Sequence, residues 1–213
     1  MIISLNRITV TGCPPEEYER VYQRASDLMA TQPGHVSQLF VRSETSPKVY
    51  FAVAEWESLE HYAALADVKE LVDVFASVIS LSDAPSPEDD KIEVEHHKAD
   101  VVYEGVSEPV PVSSPEPRMV CLNKITLVDC EDREYEEVYR KGSDYMAAQP
   151  GHIRHKLVRS QLDPTVYFSV AEWQNIDFYR RLDELDELTE IFSRVNSKID
   201  IENHECVVAY EHG

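Results

Sequence analysis

The pattern of apolar and polar positions over the first hundred residues predicts alternating strands and helices. Apolar, β-branched side chains alternate over Ile2–Val10, which predicts a strand. From Pro14 to Pro33 the apolar residues recur every three or four positions, which predicts a helix that begins at its prolines. The remaining elements are two strands, one or two helices and a last strand, at His35–Arg42, Val49–Trp56, 62–78 and Ile92–Tyr103. The order β-α-β-β-α-β is that of a ferredoxin-like unit.

The chain contains an internal sequence repeat of this pattern. LNRIT at Leu5–Thr9 returns as LNKIT 117 residues later, and VYFAVAEW at Val49–Trp56 returns as VYFSVAEW at Val166–Trp173. The first copy has an additional stretch rich in Ser, Pro and Asp at Ser80–Asp90, after which the offset falls to 107. Residues 105–118 contain four prolines and three serines, as an extended linker does. We therefore predict one domain at 1–104, a linker at 105–118 and a second domain at 119–213.

The strand Val49–Trp56 predicts how the two copies are combined. Its side chains are apolar on both faces, so both faces should be covered. The helices of one copy can cover only one face of its sheet, and the sheet of the second copy can cover the other. The predicted fold class is therefore α+β, with two ferredoxin-like repeats that form an intrachain pseudo-dimeric α+β barrel. A further homodimer of such chains is left open.

Composition limits the partners of this chain. Of 213 residues, 40 are acidic and 20 are basic, so the formal net charge is -20. Nucleic acid and anionic membrane surfaces are excluded as main partners because they require a basic surface. No apolar run is long enough to span a bilayer, and the first residues do not resemble a signal peptide, so we expect a cytoplasmic protein. The four cysteines form no CxxC pair, and we expect reduced thiols.

Common catalytic motifs are absent, which leaves the histidines as possible metal ligands. His152 and His155 are three positions apart in a predicted strand and should face opposite sides, which excludes a shared metal. His96 and His97 are adjacent, and we expect them to be solvated at a strand end. A metal site from His97 and His204 is a weak alternative. The sequence therefore predicts no metal centre.

Two asparagines are the first candidates for chemistry. Asn6 and Asn123 take the same place in the first strand of each copy, on a face that is otherwise apolar. A carboxamide left unpaired on such a face costs about 1–3 kcal/mol, so it must bond to backbone, water or a ligand. Bonding to a neighbouring loop is an equal alternative on residue type alone. Their repetition beside a predicted cavity makes Asn6 and Asn123 our catalytic candidates.

Aromatic residues and histidines also repeat at the ends of the predicted strands. One group comprises Trp56 and Trp173 with Tyr62 and Tyr179, for which core packing is the alternative to a pocket role. The other comprises His35 and His152, which follow a Pro-Gly pair in each copy. For these histidines, packing at the helix end and a pocket role are equally supported.

These residues and motifs resemble the antibiotic biosynthesis monooxygenase superfamily. The resemblance rests on the strand Asn-Arg-Ile-Thr at Asn6–Thr9, the helix that ends in Pro-Gly, and the stretch AEWESLEHY at Ala54–Tyr62. It covers both copies and leaves out only the linker and the insertion. It implies a dimeric α+β barrel of ferredoxin-like subunits, a fold that hosts many activities.

The LNRIT and LNKIT strands are similar to the IsdG-like branch, which binds and degrades heme. That resemblance implies a catalytic role for Asn6 and Asn123. The tryptophan that contacts the porphyrin in that branch falls on Leu65 and Leu182, and the histidine that ligates iron falls on Phe75 and Phe192. Heme would therefore need another ligand, for which the nearest candidates are His35, His152 and His61.

A second branch contains cofactor-independent oxygenases of aromatic polyketides. The Trp and Tyr that it uses match Trp56 with Tyr62, and likewise Trp173 with Tyr179. Its additional asparagine falls on Ala52 in the first copy and on a serine in the second. In this branch an electron-rich phenolic substrate is deprotonated and reacts directly with oxygen, which requires no cofactor.

Three functional hypotheses follow from these residues. The first is a monooxygenase that acts on a flat hydrophobic ligand, heme-like or aromatic, in a pocket between sheet and helices. The second is a binding protein for heme or a small aromatic molecule without turnover. The third is a structural or regulatory module whose pockets are filled by side chains. A cavity of several hundred cubic ångströms would favour the first two. The cofactor is either heme or none.

Overall fold

The computed structural model describes residues 1–79, 92–107 and 117–213, and of Phe75–Ile79 only the first two side chains. The predicted insertion and most of the predicted linker lie outside the described residues. The described strands are Ile2–Val10 (β1), His35–Ser43 (β2), Val49–Trp56 (β3), Ile92–Val106 (β4), Met119–Leu127 (β5), His152–Ser160 (β6), Val166–Trp173 (β7) and Ile199–His212 (β8). The α-helices are Pro15–Ala30 (α1), Leu59–Ala63 (α2), Lys69–Ile79 (α3), Asp132–Ala147 (α4), Ile176–Arg180 (α5) and Asp186–Ser193 (α6).

The chain divides into two compact units. One contains Met1–Lys98 with Val208–Gly213, and the other contains Ala99–Val207, so β4 and β8 each contribute to both. The strand order is β4-β1-β3-β2-β8 in the first unit and β8-β5-β7-β6-β4 in the second. These orders contain the strand pairs that a pseudo-dimeric α+β barrel of two ferredoxin-like repeats requires. The predicted fold class is therefore confirmed.

The third strand of each copy is buried along nearly its whole length. In β3, Tyr50 and Phe51 point to opposite faces and are 1% and 0% exposed. Trp56 at its end is fully buried and packs with Ala25 and Leu71 of the helices. Strand β7 is buried throughout. The apolar character of both faces of this strand therefore corresponds to burial on both.

Helix N-caps and a glycine of positive φ shape the connections around the short helices α2 and α5. Ser58 and Asn175 precede these helices, and their side-chain oxygens accept hydrogen bonds from the first turn at 3.2 and 3.1 Å. Gly34 lies below the His61 side chain with a φ of +77°, so a Cβ there would collide with the imidazole.

Among the described residues, no helix has the length and apolar character to cross a membrane.

Candidate active site

In each unit, residues of the sheet and of the helices line a cavity. The first, called cavity 1, has a volume of about 390 Å³, and its counterpart in the second unit, cavity 2, about 360 Å³. Both fall within the range of ligand pockets, roughly 300–1,000 Å³. Five predicted residues of the first copy line cavity 1, and their five equivalents line cavity 2: Asn6, Trp56, Tyr62, Leu65 and Phe75, then Asn123, Trp173, Tyr179, Leu182 and Phe192. Both cavities are therefore open, whereas the hypothesis of a structural or regulatory module requires that side chains fill them.

Strand register explains why the space opens over the asparagines. Asn6 of β1 lies opposite Ala52 of β3, and Ile2 lies opposite Trp56. Ala52 and the next residue on that face, Ala54, are small, so side-chain volume is missing between Asn6 and Trp56. Tyr62 of α2 lines the same cavity, where its ring centroid is 6.1 Å from that of Trp56.

Asn6 and Tyr62, which both line cavity 1, are joined by hydrogen bonds through His96, which is not itself among the lining residues. The Nδ1 atom of His96 is 2.6 Å from Oδ1 of Asn6, and its Nε2 atom is 3.1 Å from the Tyr62 hydroxyl oxygen. The His96 and Tyr62 rings are stacked, with centroids 5.8 Å apart. Because an amide oxygen only accepts, His96 donates through Nδ1–H to Asn6 and accepts at Nε2 from the Tyr62 hydroxyl. His96 can therefore receive a proton at Nε2.

The surroundings of His96 favour its neutral form. Burial lowers its pKa, and the positive charge of Lys98 and the neighbouring His97 lower the pKa further. Lys98 lies over the Tyr62 ring, with Nζ 5.8 Å from the centroid. A neutral imidazole is the form that accepts a proton, so His96 is suited to act as a base at neutral pH.

The expectation that His96 and His97 are both solvated is wrong for His97, which is buried, and His96 is half-buried. His96 bonds to Asn6, which is 90 positions away in the sequence, because β4 is the neighbour of β1 in the sheet. His97 faces the other side, is 5% exposed and lies 3.0 Å from Glu95. A signal for His96 existed in the alignment of KIEVEHH with KIDIENH, where His96 matches Asn203 and both side chains can pair with an amide.

Cavity 2 contains a different polar group at the same strand position. Nδ2 of Asn203 donates to Oδ1 of Asn123 at 2.6 Å and to the Tyr179 hydroxyl oxygen at 3.0 Å. The same nitrogen lies 3.5 Å from Sγ of Cys121. Burial raises the pKa of Cys121 to about 11, so its thiol stays protonated and is a poor nucleophile. The lining of cavity 2 thus offers amides, hydroxyls, the Cys121 thiol and the Asp183 carboxylate, and its asparagine and tyrosine are joined by an amide where the first copy has an imidazole.

Each cavity also has a buried indole N–H. Trp56 and Trp173 are fully buried, and the Nε1 atom of each has no hydrogen-bond partner within the described part of the chain. A buried donor without a partner costs about 1–3 kcal/mol, which a ligand oxygen can offset. Both tryptophans line their cavities, with the indole nitrogen itself buried.

The structure places His35 and His152 behind the tryptophans rather than at the cavities. The His35 ring meets Trp56 edge-on at 5.1 Å, and the His152 ring meets Trp173 edge-on at 5.0 Å. Neither histidine is among the residues that line cavity 1 or cavity 2. Their observed surroundings correspond to the packing alternative. His61 lies on Gly34 and 3.6 Å from Glu57, also outside the lining.

The prediction that His152 and His155 face opposite sides is wrong. A β-bulge between His152 and Arg154 shifts the alternation, so Nδ1 of His155 lies 3.0 Å from Nε2 of His152. On its other side, Nδ1 of His152 is 2.6 Å from Oγ of Ser107. Burial lowers the pKa of both histidines, that of His152 to about 4, so this pair is neutral at pH 7.

The residues of the two cavities do not fit a heme iron. Phe75 and Phe192 line the cavities at the positions where the heme-degrading branch has its ligand, and a phenyl ring cannot ligate iron. The imidazole of His96, which bonds to two residues that line cavity 1, has both nitrogens engaged by side chains. In the described residues, no group of three or more His, Cys, Asp or Glu side chains is arranged to hold a metal ion.

Comparison with known proteins identifies the family. The antibiotic biosynthesis monooxygenase family matches residues 1–76 and again 119–193, which together are more than half of the chain. Over 48 residues, 22% of its length, the chain is 35% identical to deoxynogalonate monooxygenase of Streptomyces nogalater. That match spans 41% of the length of this curated relative.

Solved structures agree with the fold. A proposed monooxygenase from Fusobacterium nucleatum superposes on the whole chain and on 94% of its own, with a TM-score of 0.78 and 11% identity. A second, from Lactobacillus acidophilus, covers 99% of this chain and 94% of its own, with a TM-score of 0.71 and 11% identity. At this identity the likeness concerns the fold alone. The chain belongs to the antibiotic biosynthesis monooxygenase family, with one family domain in each copy.

Proposed function

We propose that cavity 1 is the active site of a monooxygenase that oxidises a flat phenolic aromatic compound with dioxygen, without a metal or organic cofactor. The observation that carries the proposal is that Asn6 and Tyr62, in a lining made mainly of apolar side chains, are hydrogen-bonded through His96. Membership in a monooxygenase family supports the reaction class. The apolar lining suits an aromatic ring, and the chain of polar groups suits its hydroxyl.

Tyr62 and His96 act together as the base in this proposal. The Tyr62 hydroxyl gives its hydrogen to Nε2 of His96, so its oxygen presents lone pairs to the substrate hydroxyl. Transfer of the substrate proton to Tyr62, with transfer of the tyrosine proton to His96, leaves a phenolate and an imidazolium. The Oδ1 atom of Asn6, 2.6 Å from Nδ1, stabilises the imidazolium.

The phenolate then reacts with dioxygen at a ring carbon that carries hydrogen. Carbon–oxygen bond formation gives a hydroperoxide, and loss of water from it leaves a new carbonyl. One oxygen atom of dioxygen ends in the quinone and the other in water, while the substrate loses four electrons.

Oxygen consumption with a simple phenol tests the proposal. We expect purified protein with 2,3-dimethyl-1-naphthol to consume one dioxygen per molecule of 2,3-dimethyl-1,4-naphthoquinone formed, measured by an oxygen electrode and by mass spectrometry. General acid–base catalysis contributes about 10²–10⁴-fold, so Tyr62→Phe should lower kcat/KM by about a hundredfold.

Tyr210→Phe is the matched control because Tyr210 bonds to Asp27 and does not line cavity 1. It should keep the wild-type rate. Quinone formation no faster than in buffer would contradict the proposal. So would a Tyr62→Phe variant as active as the Tyr210→Phe variant.

A further inference from the structure

The two cavities present opposite hydrogen-bond polarity to a ligand. At cavity 1 the Tyr62 hydroxyl donates to Nε2 of His96, so the tyrosine oxygen is left to accept. At cavity 2 the Tyr179 oxygen instead accepts from Nδ2 of Asn203 at 3.0 Å, so the tyrosine hydrogen is left to donate. One exchange between equivalent strand positions, His96 for Asn203, therefore reverses what the same tyrosine offers.

From this reversal we infer that cavity 2 is a second binding site, which takes a neutral, flat aromatic carbonyl compound of the quinone class and does not turn it over. A phenol needs an acceptor for its hydroxyl, whereas a quinone carbonyl needs donors. Tyr179 lines cavity 2 and offers its O–H as a donor. The inference concerns a different cavity from the proposed active site and does not depend on turnover there.

The tyrosine hydrogen at cavity 2 has only a weak competitor. Tyr179 also bonds to the Cys121 sulfur, which is a weak acceptor that a carbonyl oxygen can replace. Burial, and then Cys121, raise the pKa of Tyr179, so the hydroxyl remains protonated and able to donate.

Charge at the second cavity also disfavours a phenolate. Asp183 lines cavity 2 at the position where cavity 1 has Ala66. A carboxylate beside the ligand repels an anionic phenolate and leaves a neutral quinone unaffected. At the strand position where the first copy has the imidazole of His96, the second copy has the amide of Asn203, which is not a base at neutral pH. Asn123, predicted from the sequence to be catalytic, is therefore a ligand-binding candidate here.

The two tryptophans allow the site to be located by fluorescence. The chain has two, Trp56 at cavity 1 and Trp173 at cavity 2. In Trp56→Phe the remaining emission comes from Trp173, and in Trp173→Phe it comes from Trp56. We expect 2,3-dimethyl-1,4-naphthoquinone, which cannot add to thiols at its substituted carbons, to quench Trp173 saturably. Quenching of Trp56 should require at least tenfold more quinone.

Calorimetric titration of the quinone and of the naphthol, without oxygen, then tests whether cavity 2 binds its ligand through hydrogen-bond donors. Tyr179→Phe in the Trp56→Phe background should weaken quinone binding about fivefold, the effect of one lost neutral hydrogen bond. Asn203→His should weaken quinone binding and strengthen binding of 2,3-dimethyl-1-naphthol. Tyr210→Phe should change neither. Circular dichroism of each variant shows whether it is folded.

Two results would overturn the inference. One is that the quinone fails to quench Trp173 in folded Trp56→Phe protein. The other is that cavity 2 binds the naphthol as tightly as the quinone, with no reversal in Asn203→His. Neither result bears on oxygen consumption at cavity 1, so a failure here is distinguishable from failure of the proposed function.

Discussion

Cavity 1 and cavity 2 share their framework and differ in their chemistry. Each has a tryptophan at the end of its third strand, a tyrosine on the following helix and an asparagine on its first strand. The group that joins the asparagine to the tyrosine is His96 in the first copy and Asn203 in the second. The shape of a cavity can thus be repeated while its proton chemistry changes, because one side chain supplies the base.

Two smaller differences between the cavities also favour binding over proton transfer in cavity 2. Cavity 1 has Ala52 where cavity 2 has Ser169, whose hydroxyl lies 2.8 Å from that of Tyr139. Cavity 2 also has Cys121 where the first copy has Ser4. The second cavity therefore contains more fixed hydrogen bonds and a protonated thiol, which suits binding more than proton transfer.

Removing the base from cavity 1 should have the largest effect. His96→Asn gives the first cavity the polar group of the second, and we expect kcat/KM for naphthol oxidation to fall by about 10²–10³-fold because the proton acceptor is lost. An oxygen electrode measures the rate. His212→Gln, an exchange at an exposed position, should retain it. Activity within twofold of wild type in His96→Asn would show that the histidine is not the base.

Burial of His152, beside His155 in the second copy, should make the protein less stable in acid. Between pH 7 and 5 the unfolded chain binds protons that the folded chain does not, because the pKa of folded His152 is held near 4. Stability should therefore fall with pH, by on the order of 2 kcal/mol from this histidine. Urea unfolding at pH 7 and pH 5 measures the loss, which should be smaller in His152→Gln. Equal losses in the two proteins would exclude the pair as the cause.

Placing a histidine at cavity 2 tests whether the tryptophan, tyrosine and asparagine that both cavities share are sufficient for oxidation once a base is added. In the double variant His96→Asn with Asn203→His, the imidazole would lie between Asn123 and Tyr179. We expect naphthol oxidation at least tenfold above that of His96→Asn alone. The initial rate of oxygen consumption is the measurement. No recovery would mean that Ser169 or Asp183 matters as much as the histidine.

The smallest expected effect concerns the charge beside His96. Activity requires neutral His96, so it should fall as pH decreases through a pKa that lies below the usual value near 6.5. Removing the positive charge in Lys98→Gln should raise that pKa and move the acid limb of the kcat/KM profile upward by a few tenths of a unit. Lys48→Gln, an exchange in a turn outside the cavity 1 lining, should leave the profile in place.

Much of the fold could be predicted because it rests on local periodicity and on repetition. Strands Ile2–Val10 and Val49–Trp56 have the predicted bounds, and the others differ from prediction by a few residues at their ends. The strand β4 extends to Val106, beyond the predicted end at Tyr103, and so includes the first two residues of the predicted linker. Strand ends depend on pairing with a distant partner, here β6, which periodicity does not contain.

The candidate site could be predicted only in part. Asn6 and Tyr62 were found because they repeat in the second copy at fixed positions of a strand and a helix. His96 was missed because its counterpart is a different residue, so repetition did not mark it. The contact of His152 with His155 was missed because a β-bulge, which strict alternation cannot anticipate, brings their rings together.

The sequence by itself determined the repeated α+β units, the buried third strands and the place of the asparagine, tryptophan and tyrosine in each. These follow from side-chain periodicity and from identity between copies, both of which are local properties. Tertiary structure decided which of these residues share a cavity and that His96 joins Asn6 to Tyr62. The physical reason is strand pairing, since β4 beside β1 brings together side chains that lie 90 positions apart in the chain.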